Sequence, residues 1–193
     1  MTLLKIARMG HPVLLQVANE IQDPTSQEVG SLLQDMVETM EDAVGVGLAA
    51  PQVYEGKRAI IFKSPRERGD EEGSKTDFSE LTALINPEFE PASDELAMGW
   101  EGCLSIPGIT GVVPRYSHII YRGYLASGQP IEREATNFHA RVVQHEIDHL
   151  DGVLFPMRMT DLSLLSFNEE LKKFMENTSV QDAVNSNDNR PEI

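Results

Sequence analysis

The chain has 193 residues, 40% of them hydrophobic, which is enough for one domain with a buried core. Its 16 basic and 31 acidic residues give a formal net charge of −15, so the surface repels nucleic-acid phosphates and we expect no DNA binding. The single cysteine excludes an intrachain disulfide. The N-terminus does not resemble a signal peptide, and there is no apolar run of about 18 residues that could span a membrane. We therefore expect a soluble, cytoplasmic protein with no membrane segment.

The first predicted helix follows a lead-in, residues 1–24, that contains two turns. A serine or threonine is a typical helix cap, so we expect the helix to begin at Thr25 or Ser26. Apolar residues then recur at spacings of three and four, which is the period of one helix face, and they end before Gly45. These apolar residues are Val29, Leu32, Leu33, Met36, Val37 and Met40.

Residues 45–52 read Gly-Val-Gly-Leu-Ala-Ala-Pro-Gln, a run of small residues that ends in one polar amide. Glycines here permit a close approach of the backbone to a ligand or to another segment. The run lacks the Lys-Ser/Thr ending of a phosphate-binding loop, so phosphate binding is disfavoured. Taken alone, the pattern predicts a tight turn between a helix and a strand.

The middle of the chain predicts short strands separated by turns. The strands are expected at residues 58–62, 81–85, 111–113, 119–125 and 131–132, and the Ser127-Gly128 turn joins the last two as a hairpin. The polar stretch 64–79 is predicted to be an exposed loop. An amphipathic segment is expected over 161–175. Without an internal repeat or linker, we predict one α+β domain over residues 1–176 and a flexible tail over 177–193.

Residues 144–149 read Gln-His-Glu-Ile-Asp-His, and the apolar residues around them predict a helix within residues 136–152. Residues four apart share a helix face, so His145 and His149 can present two imidazoles to one metal ion. Glu146, rotated by about 100°, reaches a water on that ion without being a ligand. A buried helix rarely carries such groups unless they are used. The alternative is a partly exposed helix with two chance histidines.

A catalytic metal site needs a third protein ligand as well as an open position. No histidine remains downstream of His149, although a few acidic residues do. The only cysteine lies upstream, within Gly-Trp-Glu-Gly-Cys-Leu-Ser-Ile-Pro-Gly at residues 99–108. A thiolate is a good soft ligand, so Cys103 is a candidate for the third position. Its alternative role is that of a small buried hydrophobic residue.

Three segments in order carry a family resemblance: Gly-Val-Gly-Leu-Ala-Ala-Pro-Gln at 45–52, Glu-Gly-Cys-Leu-Ser at 101–105 and Gln-His-Glu-Ile-Asp-His at 144–149. Together they resemble the three signature motifs of the peptide deformylases. The likeness continues through Ile-Asn-Pro at 85–87 and Val-Pro-Arg at 113–115, so it covers most of the chain. It implies an α+β fold with short antiparallel strands around a central metal-binding helix.

The resemblance implies a hydrolase that removes the formyl group from the N-terminal formylmethionine of newly synthesised polypeptides. Cys103, His145 and His149 would hold one divalent metal ion, typically Fe(II), with zinc, nickel or cobalt as substitutes. A water on that ion would be the nucleophile. This predicts a metal-dependent enzyme of protein biosynthesis.

The resemblance also assigns the groups around the metal. Glu146 would act as the general acid and base. The Gln52 side-chain amide and the Leu104 backbone N–H would bind the oxyanion. The substrate peptide would run beside the glycines, as an added strand does. The substrate-contacting residues would be Gly45, Gly47 and Gly102, with Val46, Phe138 and Val142 as walls for the methionine side chain.

Several further residues receive supporting roles. Glu101 and Arg115 are expected to form a buried ion pair that holds the cysteine loop, with Arg141 as a second anchor. Asp148 is expected either to orient a ligand histidine or to lie on a solvated face or in an ion pair. Thr110 stands where many relatives carry an arginine near the exit end of the substrate. The implied partners are N-formylmethionyl nascent peptides and the ribosome near its exit tunnel, although no strongly basic docking helix is evident.

Two other functions are compatible with parts of this pattern. The first is a zinc endoprotease of the His-Glu-x-x-His type, which the missing downstream ligand and the presence of Cys103 argue against. The second is a metal-binding protein without activity, which the presence of Glu146 and Gln52 argues against. We therefore expect a deformylase.

Overall fold

The computed structural model describes residues 2–65 and 78–177, and within these ranges the chain forms three α-helices and eight strands. None of the described helices is long and apolar enough to cross a membrane. The predicted tail beyond residue 177 and the central part of the predicted loop lie outside the described residues. The helices are α1 (Gln27–Asp42), α2 (Asn137–Leu150) and α3 (Asn168–Asn177). The strands are β1 (Gly47–Ala49), β2 (Ala59–Pro65), β3 (Phe78–Pro91), β4 (Leu96–Cys103), β5 (Ile106–Tyr116), β6 (His118–Tyr124), β7 (Pro130–Thr136) and β8 (Ser166–Phe167).

The strands form two antiparallel sheets with α2 packed against both. One sheet has the order β1-β2-β3-β6-β7 and the other the order β4-β5-β8. α2 contacts β1 and β2 of the larger sheet and β5 of the smaller one. Its buried apolar residues join the core beneath the larger sheet. The predicted α+β fold is therefore confirmed, and the helix that carries both histidines is at its centre.

α1 follows the sequence prediction closely. Its N-cap is Ser26, whose Oγ accepts a hydrogen bond from the Val29 N–H at 3.4 Å. The predicted apolar face packs onto β1 and β2 and forms a second core cluster. The side chain of Met36 at the centre of this face is fully buried.

The small-residue run at 45–52 is more structured than the predicted turn. Gly47–Ala49 forms β1, an edge strand that pairs with β2 in the register Gly47↔Phe62. A 3-10 helix, Ala50–Val53, follows directly, with Pro51 in its first turn. Proline has no N–H to leave unpaired there, so it suits the start of a helix.

Four of the predicted strands, β2, β3, β5 and β7, are longer than expected, and β3 and β5 exceed the prediction most. β3 continues through Asn86-Pro87, because a β-bulge there removes the need for a paired N–H at the proline. Asn86 has a φ of +49°, and its side-chain amide both accepts from and donates to the Ile21 backbone at 2.9 Å. β5 likewise extends well beyond the predicted residues 111–113.

β4 and β8 were not predicted as strands, whereas the β6–β7 hairpin was. The β6–β7 pairing and the turn at Gly128 (φ +80°) confirm that hairpin. The expected amphipathic segment over 161–175 is an α-helix only from Asn168 onward. Its first part forms a short 3-10 helix and then β8, because Ser166 and Phe167 pair with β5.

Candidate metal centre and substrate cleft

A cleft of about 470 Å³ opens between β1, the β4–β5 connection and one face of α2. Three groups of predicted site residues line it: residues 45–47 with Gln52, residues 102–104, and four side chains of α2, namely Phe138, Val142, His145 and Glu146. His149 is buried, with 1% of its surface exposed. The fold thus brings together the predicted residues of all three sequence motifs.

Gln144 fixes how α2 is rotated relative to the smaller sheet. Its Oε1 accepts from the Tyr116 N–H at 3.0 Å, and its Nε2 donates to the Tyr116 carbonyl at 2.9 Å. This amide therefore completes the backbone pairing at the end of β5. The sequence interpretation gave Gln144 no role, although a polar residue on the buried face of a helix was a usable signal.

Cys103, His145 and His149 converge on one point. One ligand atom from each lies within 4.8 Å of the others, and Cys103 Sγ is 3.2 Å from His149 Nε2. His145 Nδ1 lies 2.8 Å from Glu101 Oε2, which leaves Nε2 as its ligand atom. One thiolate and two imidazoles form a donor set suited to zinc or a similar transition metal, with one coordination position left open.

The position of Glu146 agrees with such a centre. Its Oε2 is buried and has no hydrogen-bond partner among the described residues, so a water or a substrate group fits there. Burial raises the pKa of Glu146 to about 7, despite the opposing effect of nearby His145. A Cβ at Gly47 would overlap this carboxylate, so the glycine is needed for its close approach. The residues present therefore fit a divalent ion and a neighbouring proton acceptor.

Glu101 lies behind the centre, in a fully occupied set of hydrogen bonds. It accepts from Arg115 Nε and Nη2 at 2.9 and 3.0 Å, from Arg141 Nη1 at 2.8 Å and from His145. Burial alone would raise the pKa of Glu101, but the bonds from His145 and Arg115 outweigh it and hold the pKa well below its usual range. The predicted ion pair with Arg115 and the anchoring role of Arg141 are confirmed. Gly99 is required beside Arg141, whose guanidinium occupies the space of a Cβ.

Asp148 belongs to the same buried network. Its carboxylate accepts from Arg115 at 2.5 Å and from Arg158 at 2.7 Å, so the ion-pair alternative is the correct one. Among the described residues Asp148 makes no hydrogen bond of its own to a ligand histidine, and Glu101 is the residue that contacts His145 in that way. Arg158 was missed, since neither its distance along the chain from Asp148 nor its surroundings mark it in the sequence.

The Gln52 amide is held so that its nitrogen faces the centre. Its Oε1 accepts from the Ala49 N–H at 2.8 Å, while Nε2 donates to Ser105 Oγ at 3.1 Å and lies 3.5 Å from Cys103 Sγ. Ser105, which received no role from the sequence, thus helps to orient this amide. Leu104 follows Cys103 directly and lines the cleft.

The far side of the cleft contains residues that sequence reasoning did not find. Trp100 and Ile109 line it from the smaller sheet, and Asn168 lines it from the start of α3. Asn168 is brought there because Phe167 pairs with Ile109. This pairing joins segments almost 60 residues apart, and no local pattern in the sequence indicates it.

Comparison with known proteins identifies the family. A model of the polypeptide deformylase family matches residues 3–164. The chain belongs to this family. Peptide deformylase 1 of Bordetella pertussis is 51% identical over 166 residues, which are 86% of this chain and 93% of that protein. The Met-Ala-Ser-bound crystal structure of a class I type b peptide deformylase from Acinetobacter baumannii is 35% identical, with a TM-score of 0.74, over 82% of this chain and 100% of that one.

The actinonin complex of a peptide deformylase from Synechococcus elongatus is a further structural relative, 34% identical with a TM-score of 0.73 over 88% of this chain and 85% of that one. The predicted family and fold are confirmed by these matches. Members are metal-dependent enzymes that remove the N-terminal formyl group, and this chain is one of them. Cys103, His145 and His149 form its possible metal site.

Proposed function

We propose that the chain removes the formyl group from N-formylmethionyl nascent peptides with one divalent ion held by Cys103, His145 and His149. The observation that supports this most is the meeting of a thiol and two imidazoles beside the partnerless buried oxygen of Glu146. When bound, such an ion acts as a Lewis acid and lowers the pKa of a coordinated water towards about 7. Fe(II) is the proposed ion in the cell, and zinc, nickel or cobalt suit the same donors.

Glu146 moves the proton in this scheme. Its Oε2 accepts a proton from the attacking water as the oxygen bonds to the formyl carbon. It then delivers that proton to the amide nitrogen as the carbon–nitrogen bond breaks, so the products are formate and a free N-terminus. A buried carboxylate without a protein partner suits both steps, because it must accept the proton and then release it.

Gln52 Nε2 and the Leu104 N–H donate hydrogen bonds to the formyl oxygen as it gains negative charge. The contacts of Gln52 with Ala49 and Ser105 hold the amide before substrate binds, so no reorientation is needed during the reaction. A preformed donor of this kind contributes about 100- to 1000-fold in rate.

The substrate peptide enters between two edge strands. β1 and β4 are terminal in their sheets, and both border the cleft. The peptide backbone runs beside Gly45, Gly47 and Gly102, while Val46, Phe138 and Val142 surround the methionine side chain. The Acinetobacter baumannii relative was crystallised with Met-Ala-Ser bound, which supports a short peptide as the ligand of this chain. The catalytic unit comprises residues 1–176.

This substrate assigns the enzyme to the cytoplasm, where nascent chains leave the ribosome. α3 carries Lys172 and Lys173, but also Glu169 and Glu170, and Lys173 pairs with Glu170 at 2.7 Å. The proposed encounter near the exit tunnel therefore does not depend on a basic docking helix. Co-sedimentation with ribosomes at rising salt tests this, and salt-sensitive pelleting through α3 would contradict it.

The deciding experiment measures formate release from formyl-Met-Ala-Ser by protein loaded anaerobically with Fe(II), Zn(II), Ni(II) or Co(II). Turnover is expected with loaded protein, but not with metal-stripped protein. An N-acetylated peptide with internal bonds serves as the control, because an endoprotease would cleave it. Internal cleavage, or no formate with any of the four ions, would overturn the proposal.

A further inference from the structure

A chain of charged contacts runs from the protein surface to one proposed metal ligand. Arg158 donates to both oxygens of Asp148, at 2.7 Å from Nη2 and 3.2 Å from Nε. Asp148 also accepts from Arg115 Nη1, and the remainder of that guanidinium binds Glu101, which contacts His145 Nδ1. The Arg158 side chain is 49% exposed, whereas those of the other members are 10% or less. Arg158 is therefore the solvent-accessible end of the chain.

The segment that ends with Arg158 contacts the same histidine in a second way. Phe155 begins the 3-10 helix Phe155–Arg158 and is 1% exposed. Its ring stacks on that of His145, with centroids 6.5 Å apart and planes inclined by 24°. One short helix thus restrains the imidazole from its face and, through the charged chain, from its Nδ1 edge.

From these contacts, and resting on the metal site proposed above, we propose that Arg158 is a positioning residue of the metal centre. It holds His145 in its ligand orientation through the two buried carboxylates and the guanidinium between them. It contacts none of the proposed ligands itself. Its loss is therefore expected to speed the release of metal.

Removing Arg158 affects Glu101 because Asp148 and Glu101 share the Arg115 guanidinium. Without Arg158, the buried Asp148 carboxylate keeps only Arg115 among its described partners. An under-paired buried carboxylate is costly, so it competes with Glu101 for the same guanidinium. Glu101 then binds its partners less firmly, and His145 gains freedom to turn away from the ligand position.

The charge of Arg158 acts in the opposite direction, because removing a positive charge by itself favours a cation nearby. That effect is small, since Arg158 is half-exposed and solvent and salt screen it. The loss of His145 orientation is therefore expected to outweigh the loss of the Arg158 charge in its effect on metal release. A partner in direct contact with a ligand typically changes metal affinity by about 10- to 100-fold, so for this more remote residue we expect about 3- to 10-fold.

The test measures the rate at which full-length protein loaded with Zn(II) releases the ion to excess chromogenic chelator. The variants are Arg158→Ala and Arg158→Lys. The matched control is Arg122→Ala, because Arg122 is 36% exposed and, like Arg158, donates to carboxylate oxygens from two of its nitrogens, here those of Glu90 and Glu132 at 2.7 and 2.5 Å. It lies on β6, its two carboxylate partners are 54% and 63% exposed, and its described contacts give it no path to the metal site.

We expect Arg158→Ala to release zinc about 3- to 10-fold faster than the wild type, with Arg122→Ala unchanged. Lysine keeps the positive charge but not the planar guanidinium, so the zinc release rate of Arg158→Lys should lie between those of the wild type and Arg158→Ala. The visible absorption bands of the Co(II) form should also change in Arg158→Ala alone.

Equal release by Arg158→Ala and the wild type would overturn the inference, and so would full restoration by lysine, because the proposed restraint depends on the two-nitrogen contact of the guanidinium with Asp148. If the alanine variant fails to fold, the lysine variant decides in the same way. Failure of the wild type to bind zinc would instead overturn the proposed metal site. That result is distinguishable from equal release rates, because it concerns zinc binding by the unmodified protein.

Discussion

α1 and α2 both pack against the larger sheet, but they bury very different chemistry. The buried residues of α1 are apolar apart from one threonine, Thr39, whose hydroxyl donates back to the Asp35 carbonyl at 2.7 Å. α2 buries six polar or charged side chains beside its apolar ones: Arg141, Gln144, His145, Glu146, Asp148 and His149. α1 therefore contributes only to the hydrophobic core, whereas α2 contributes both to the core and to the candidate metal site.

The difference shows where chemistry is located in a buried helix. Most polar side-chain atoms of α2 have hydrogen-bond partners. Arg141, for example, donates to three backbone carbonyls, those of Ala97, Gly99 and Val113. Glu146 Oε2 and His149 Nδ1 are buried without a partner among the described residues. Paired polar groups hold α2 in place, whereas an unpaired one facing the cleft is available to react.

The largest expected effect comes from the acid of α2. Glu146→Gln keeps the shape of the side chain but cannot accept the proton, so kcat for formate release should fall by about 100- to 10,000-fold. The bound metal should remain, because Glu146 is not a proposed ligand, and metal content per protein is measured in parallel. Wild-type activity in this variant would contradict the proton-transfer role.

The corresponding change in α1 should alter stability and leave the chemistry intact. Met36→Ala removes a fully buried side chain from the cluster between α1 and the sheet, and should lower the free energy of unfolding by about 2–5 kcal/mol. Urea denaturation measures this, while kcat/KM of the folded fraction should equal that of the wild type. A loss of kcat/KM without a loss of stability would mean that α1 contributes to the site.

Sequence reasoning found both helices for the same reason, since each has apolar residues at helical spacing. It also predicted that Cys103, His145 and His149 meet in one possible metal site, because the three motifs resemble those of one family. It could not find β4, an edge strand in which Gly99 and Gly102 interrupt any alternation of apolar and polar residues. Nor could it find the contact of Asp148 with Arg158, because this contact depends on how α2 is rotated against its neighbours.

The buried Glu146 should also make the free energy of unfolding of the metal-free protein depend on pH. The pKa of Glu146 is about 7 in the folded chain and ordinarily 4.5, so the folded state binds the extra proton between these values. Its contribution to stability is full below pH 4.5 and is lost as the pH rises to about 7. Relative to Glu146→Gln, metal-stripped wild type should therefore lose about 3 kcal/mol across this range.

Urea unfolding of both metal-stripped proteins at several pH values measures this difference. Met36→Ala is the control, because its stability deficit relative to the wild type should not vary with pH. If the difference between wild type and Glu146→Gln were constant from pH 4.5 to 8, the carboxyl group would not be held in its neutral form by burial.

The smallest expected effect concerns how the two helices begin. Ser26→Ala removes a side-chain cap from α1, and the length of that bond, 3.4 Å, points to a cost of about 0.5–1 kcal/mol. Thr136, the N-cap of α2, makes no capping bond with its side chain, so Thr136→Ala should cost less. Thermal unfolding compares the two. An equal or larger loss for Thr136→Ala would mean that α2 depends on its first turn, rather than on the Gln144 and Arg141 contacts that hold it between the sheets.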